Sequence, residues 1–344
     1  MPEMLKEIFE QPDILQHVCS KNSDILLGIS REIKKRNIKY AVIAARGTSD
    51  HAAIFGKYLI ESTCHIPVAL AAPSVVTAYR ADISYKEALV IGISQSGEAK
   101  DVLEIIKQAN ATGAFTIAIT NFTDSPLAKS AFAHLHCAAG IETSVAATKT
   151  FTSELYLLAL LGAYISGSPE LYGLLLAVPD KLHTILTKKD EIFELAKRYR
   201  FMKECFTLSR GYNYCIAMES ALKLQECAYV LAKAYSISDF MHGPLAMIEN
   251  DTPCLVFLES GIFTDEMAGF INRIKKMGAD ITTFTNDSKL MDLSDRFVRM
   301  PDCHALESPF FFACAAQMFA CAVSMEKGLN PDEPRNLKKV TITK

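Results

Sequence analysis

Leu89-Val90-Ile91-Gly92-Ile93 runs straight into Ser94-Gln95-Ser96-Gly97-Glu98, and this stretch decides the fold. An apolar run bounded by turn residues is the pattern of a strand buried on both faces. The Ser/Gly break before a helical stretch is the strand-to-helix turn of a parallel sheet. A helix over 98–111 follows, Thr112-Gly113-Ala114 ends it, and a second apolar run, Phe115 to Thr120, closes at Asn121. The pattern then recurs. Cys254-Leu255-Val256-Phe257-Leu258 breaks into Glu259-Ser260-Gly261, a helix over 264–277 reaches Met277-Gly278-Ala279, and Ile281 to Thr285 closes at Asn286. Two strand–loop–helix–strand units predict an α/β protein of two pseudo-symmetric halves. Each half is a mainly parallel sheet flanked by helices in three layers.

Outward from that stretch, residues 1–38 read as an amphipathic helical lead-in or subunit clasp. Tyr40 to Ala45 is a strand, followed by Arg46-Gly47-Thr48-Ser49 and a helix that Ser49 or Asp50 can cap. The loop Gly140-Ile141-Glu142-Thr143-Ser144 opens a long helix to about Tyr164. Residues 166–185, with Gly167, Pro169, Gly173 and Pro179, read as the connector. Beyond it come a strand at Cys205 to Leu208, the turn Ser209-Arg210-Gly211-Tyr212, a helix from Glu219 to Ala232 and a last helix from Pro309 to Lys327. The expected divisions are a lead-in (1–38), a first domain (39–170), a second domain (186–330) and a tail (331–344).

Bulk properties narrow the class. Of 344 residues, 50% are hydrophobic and 22% charged, enough for a full core and unlike a disordered chain. The net charge is −3 and no basic cluster exceeds Lys34-Lys35-Arg36, so the electrostatic footprint of a nucleic-acid binder is missing. Ten irregularly spaced cysteines, several inside apolar runs, read as reduced thiols and not a disulfide framework. The start lacks a signal-peptide profile, and the apolar stretch Leu155 to Ile165 is too short to span a bilayer. The expectation is a cytoplasmic protein away from membranes. No spacing fits a zinc site, so no metal is expected.

Two loops and one helix carry the chemistry. In parallel sheets, ligands sit outside the carboxyl ends of strands. Gly47-Thr48-Ser49 and Ser94-Gln95-Ser96-Gly97 meet that requirement with short hydroxyl side chains and peptide N–H groups suited to a phosphate. There is no Walker lysine, so a monophosphate suits the pair better than a nucleoside triphosphate. Glu219, Lys223 and Glu226, at i, i+4 and i+7, share one face of an otherwise apolar helix. That pattern is either a solvated ion-pair stripe or a buried acid/base site. His242, ahead of Gly243-Pro244, is held in a turn.

Glu219-Ser220-Ala221-Leu222-Lys223-Leu224-Gln225-Glu226, His242-Gly243-Pro244, Gln95-Ser96-Gly97 and Pro334-Arg335-Asn336-Leu337-Lys338-Lys339 occur in the order seen in one family. The chain resembles, over almost its whole length, the isomerase half of glucosamine-6-phosphate synthase, a double sugar-isomerase (SIS) domain. The resemblance implies that Ser94, Gln95 and Ser96 bind a sugar phosphate with Ser49 nearby. It implies that Thr48 and the Val145 backbone meet sugar hydroxyls beside Gly47. Glu226 becomes the base that moves a proton between C1 and C2, with Glu219 and Lys223 close by. His242 assists ring opening from the neighbouring subunit of a homodimer with shared sites, and Lys339 approaches the open-chain carbonyl. The family's Cys before Gly-Thr-Ser is Arg46 here, and its Thr after Ser-Gly-Glu is Ala99, which suggests a rearranged or more anionic ligand. No glutaminase segment is read in the sequence, so glutamine-dependent synthesis is not expected. The expected activity is that of a cofactor-independent aldose–ketose isomerase, of the isomerising amino-sugar-6-phosphate deaminase type. The alternatives are a deglycase acting on a phosphorylated sugar–amino acid adduct, in which Arg46 holds the carboxylate, and a non-catalytic sugar-phosphate sensor.

Overall fold

The structure, a computed structural model, describes residues 1–339, so the expected catalytic tail over 331–344 falls partly outside the described residues. The chain divides into two compact units. The first comprises Glu10–Glu142, Lys149–Pro179 and, of the tail, Lys338 and Lys339; the second comprises Met1–Phe9, Thr143–Thr148 and Asp180–Leu337.

The first unit carries β1 (Tyr40–Ala44), β2 (Val68–Leu70), β3 (Ala88–Ile93), β4 (Phe115–Thr120) and β5 (Ala133–His136). They form one wholly parallel sheet in the order β2-β1-β3-β4-β5. The second unit carries β6 (Glu204–Ser209), β7 (Leu231–Ser236), β8 (Pro253–Phe257), β9 (Asp280–Thr285) and β10 (Arg296–Arg299). Its order, β7-β6-β8-β9-β10, is the same 2-1-3-4-5 arrangement, again all parallel. The duplicated α/β fold expected from the repeat is present. Every residue of β3 and β4 is buried, as continuous apolar runs require when helices cover both sheet faces.

Three elements differ from the sequence reading. The connector is an 18-residue helix, Pro169–Leu186, with Gly173 and Pro179 inside it. Its buried Leu171, Leu175, Val178, Leu182 and Ile185 recur at helical spacing, and that apolar stripe outweighs two helix-breaking residues. Pro169 sits at its start, where a missing N–H costs nothing. The Glu-bearing helix runs Tyr214–Ala228, because Tyr229 turns left-handed at φ 54°. The residues from Leu231 then become edge strand β7. Helix Ser308–Glu326 is, among the described residues, the one helix long and apolar enough to cross a membrane; 94% of that window is buried, as in a core helix. All ten cysteines are free. Burial pushes the Cys254 and Cys321 thiols up to about 12, so they pack as small apolar groups and not as nucleophiles.

Candidate functional site

In a 2-1-3-4-5 sheet the strand order reverses between the first and third strands, so the loops leaving these two strands part and open a crevice. In the first unit those loops are Gly47–Ser49 after β1 and Ser94–Gly97 after β3, the two singled out by sequence. Ser94 Oγ accepts the Gly97 N–H at 3.2 Å, and Ser96 Oγ accepts the Glu98 N–H at 3.2 Å. Both hydroxyls therefore keep their O–H to donate to a ligand. Gln95 gives its carbonyl to the Asn121 N–H at 3.0 Å, which ties the loop to the end of β4. Gly97 has φ +67°, and a β-carbon there would collide with the Ser125 side chain. Ser125 in turn caps the short helix Pro126–Ser130, so this turn closes only around glycine.

Ser49 is buried, and its Oγ donates to Glu154 Oε1 at 2.9 Å. In this state its proton is committed, and it offers an anion only lone pairs until it rotates. Thr48 begins the helix Thr48–Cys64, with Gly47 as its N-cap at φ +58°. Arg46 Nε donates to the buried Asp101 at 2.6 Å, while half of the Arg46 side chain stays exposed. Burial raises the pKa of the neighbouring Asp50, an effect that His51 and Arg46 partly offset. Ala99 is the N-cap of Lys100–Ala111 without a side-chain cap bond.

The second unit fills its equivalent loops otherwise. After β6 comes Arg210-Gly211, and Arg210 pairs with Glu266 at 3.3 Å as Arg46 pairs with Asp101. After β8, Leu258 and Glu259 stand where Ser94 and Gln95 stand in the first unit: the Leu258 N–H goes to the Phe284 carbonyl as the Ser94 N–H goes to the Ile119 carbonyl. Glu259 is buried, and Asn213 Nδ2 donates to its Oε2 at 2.7 Å. Burial raises its pKa, partly offset by its own backbone N–H, Asn213 and Ser308. A carboxylate in this position repels a phosphate.

The helix that follows β6 carries the three charged residues. Lys223 Nζ lies 2.6 Å from Glu226 Oε2 and 3.3 Å from Glu219 Oε1. The Lys223 and Glu219 side chains are each 1% exposed and Glu226 is 23% exposed. The three charges therefore do not form a solvated stripe. Burial alone would lower the Lys223 pKa, but Glu219 and Glu226 together carry it well above the usual lysine range, so the ammonium stays charged. Glu226 is the member of the cluster that reaches solvent.

The remaining expected residues are dispersed. His242 is exposed at the C-cap of the short helix Ile237–Met241, next to Gly243 at φ +148°. In the second unit the Val145 N–H donates to the Asp332 carbonyl at 3.3 Å. In the first unit Lys339 Nζ donates to Glu142 at 2.6 Å, and Glu142 also accepts the Thr150 N–H and hydroxyl at 3.1 and 2.7 Å. The partners Asp101, Glu154, Glu142 and Asn213 were not read from the sequence. Only Glu154 carried a signal, a lone carboxylate inside the apolar run Phe151–Leu161.

The SIS domain profile matches residues 34–164 and 202–327, and the chain belongs to this family. It is 35% identical to the isomerizing glutamine–fructose-6-phosphate aminotransferase of Pyrococcus horikoshii, over 98% of this chain and 57% of that protein. The chain thus spans little more than half the length of such relatives. Among solved structures it superposes on the C-terminal domain of glucosamine-fructose-6-phosphate aminotransferase from Francisella tularensis with a TM-score of 0.87 and 25% identity, covering 96% of this chain and 98% of that one. Glucosamine-6-phosphate deaminase from Thermotoga maritima shares the fold, with a TM-score of 0.74 at 21% identity over 99% of this chain and all of that one.

Proposed function

We propose that this chain is a cofactor-independent aldose–ketose isomerase of phosphosugars that releases ammonia from a hexosamine 6-phosphate. The observation that carries this reading is the ammonium of Lys223, buried between Glu219 and Glu226. Residues 39–170 would hold the phosphate through Ser94, Gln95, Ser96 and, after rotation of its hydroxyl, Ser49. Thr48, beside Gly47, and the Val145 backbone would meet sugar hydroxyls. Residues 186–330 would supply the base. His242, from the partner subunit of a homodimer, would pass the proton that opens the ring.

Glu226 then takes the C2 proton of the open-chain amino aldose. The C–H electron pair forms the C1–C2 double bond, the C=O π pair moves onto the aldehyde oxygen, and that oxygen takes up a proton from solvent to become the enol hydroxyl. Returning the proton from Glu226 to C1, with an N–H proton released to solvent, leaves a ketimine at C2. Water adds to that carbon, ammonia leaves with the C–N electron pair, and a ketose 6-phosphate remains. A carboxylate base beside a fixed cation suits a step in which negative charge develops on the substrate. Lys339, on the C-terminal tail, would steady the carbonyl oxygen.

A second reading, a deglycase splitting a phosphorylated sugar–amino acid adduct, is favoured by one feature. Arg46 gives Nε to Asp101 yet keeps half its side chain exposed beside the Gly47–Ser49 turn, where it could meet a second anion. Ammonia release from a panel of amino-sugar 6-phosphates, without glutamine, separates the readings. Ammonia together with fructose 6-phosphate from one of them supports the deaminase. Turnover of the adducts alone supports the deglycase, and ligand-induced stabilisation with no turnover of any compound would leave a sensor.

A further inference from the structure

Resting on the reading of Ser49 as a phosphate contact, we infer that Glu154 is a positioning residue that couples phosphate binding to the uptake of a proton. All the residues involved belong to the first unit. Glu154 sits on the helix Lys149–Ser166, whose residues from Lys149 to Ala163 are all buried, and it is itself 1% exposed. Its Oε1 accepts the Ser49 hydroxyl at 2.9 Å, and Ser49 is 7% exposed at the Gly47–Ser49 turn. The carboxylate therefore stands one side chain behind the proposed phosphate cradle.

A phosphate dianion changes what that pair can do. While Glu154 holds the Ser49 proton, Ser49 turns only lone pairs toward phosphate oxygens, which carry lone pairs too. If the hydroxyl swings to the phosphate and Glu154 stays ionised, the carboxylate loses that donor and its buried charge lies behind a dianion. Burial screens such repulsion poorly. A third arrangement removes the conflict. A proton from solvent binds Glu154 Oε1, the neutral acid donates to Ser49 Oγ, and the Ser49 O–H donates to the phosphate. Because the dianion favours the protonated acid, protonation favours the dianion to the same degree.

Other titratable groups surround Glu154. On its own helix, Lys149 pairs with Glu10 at 2.7 Å. Glu142, in the preceding loop, pairs with Lys339 at 2.6 Å. The Cys137 thiol is pushed well up by burial and then by Glu154 and Glu142, so it already carries its proton. Of the elements packed on this helix, β4 has no titratable residue. The buried positions of Gln11–Arg36 carry no charge, and burial raises the pKa of Cys19 on that helix. The helix Thr48–Cys64 carries Asp50 and His51, which serve as controls.

Calorimetric titration of fructose 6-phosphate into the full chain, in two buffers of different ionisation enthalpy, counts the protons. At about pH 8 the phosphate, whose second ionisation lies near about pH 6, is a dianion and takes up none itself. The parent should take up between about a half and one proton per ligand, and its affinity should fall by up to about tenfold from pH 8 to pH 9. Glu154→Gln supplies an amide that can donate to Ser49 Oγ as the acid would. It should take up no proton, hold its affinity across that range, and bind more tightly than the parent by up to about tenfold at pH 9. Asp50→Asn and His51→Gln should keep the uptake. No uptake by the parent overturns the coupling; so does uptake that persists in Glu154→Gln or disappears in either control. Weaker binding by Glu154→Gln at every pH, with a lower melting temperature, would make Glu154 merely structural and overturn it too. If the parent binds no fructose 6-phosphate at any pH, the functional reading itself fails, a result distinct from those above.

Discussion

The two units share a sheet order and an arginine–carboxylate pair, yet they differ at one decisive loop. After β3 the first unit has Ser94-Gln95-Ser96-Gly97, whose hydroxyls keep their protons for a ligand. After β8 the second has Glu259-Ser260-Gly261, with Glu259 buried and bonded to Asn213, and Ser260 spent on Asp287. The helix after the first strand differs too. In the first unit it presents Ser49; in the second it presents Lys223 between two glutamates. Two sheets of one strand order thus carry different side chains: serine hydroxyls and glycine at the loops of the first, a buried carboxylate at the loop and a carboxylate–ammonium cluster on the helix of the second. Fold alone does not assign function to either unit.

That division can be broken in order of expected effect. Glu226→Gln should lower turnover by about 10²–10⁴, the usual contribution of a general base, while fructose 6-phosphate binding measured by calorimetry stays near its original value. Retained turnover would remove the acid/base role from the second unit. Lys223→Met should cost about 3–5 kcal/mol in urea unfolding, because it strands Glu219 in the interior without its counter-charge. A small loss would mean that water reaches the cluster.

A glycine pair sharpens the contrast between the loops. Gly97→Ala forces a β-carbon at φ +67° into Ser125, and should cost about 1–3 kcal/mol together with phosphate affinity. Gly261→Ala, at the corresponding turn, meets nothing within 4 Å, and its stability should stay within about 0.5 kcal/mol of the parent. Equal effects at both turns would remove the asymmetry.

The smallest effect is at Glu259. Burial raises its folded-state pKa above the unfolded value. Relative to a neutral side chain, its contribution is therefore most favourable below the unfolded pKa and is lost as pH rises through the folded one. Glu259→Gln should accordingly raise the melting temperature at pH 8 and leave it nearly unchanged near pH 4. A larger gain at the acid end would reverse the sign and show that the carboxylate is stabilised in place.

Much of this was legible in the chain itself. The repeat of apolar run, turn, helix and apolar run predicted two parallel sheets, because strand burial and turn chemistry are local properties. The positions of Ser94–Gly97 at a strand's carboxyl end and of Glu219, Lys223 and Glu226 on one helix face followed from strand and helix periods alone. Tertiary structure decided the rest. Spacing could not tell a solvated stripe from a buried cluster, because burial depends on what packs over the helix. Glycine and proline at 167–179 suggested a loop, but long-range burial of five apolar residues made a helix. The partners Arg46–Asp101, Ser49–Glu154, Lys339–Glu142 and Glu7–Thr143 are separated by 55, 105, 197 and 136 positions. No local rule links residues so far apart, since a hydrogen bond reads distance in space and a sequence records only distance along the chain.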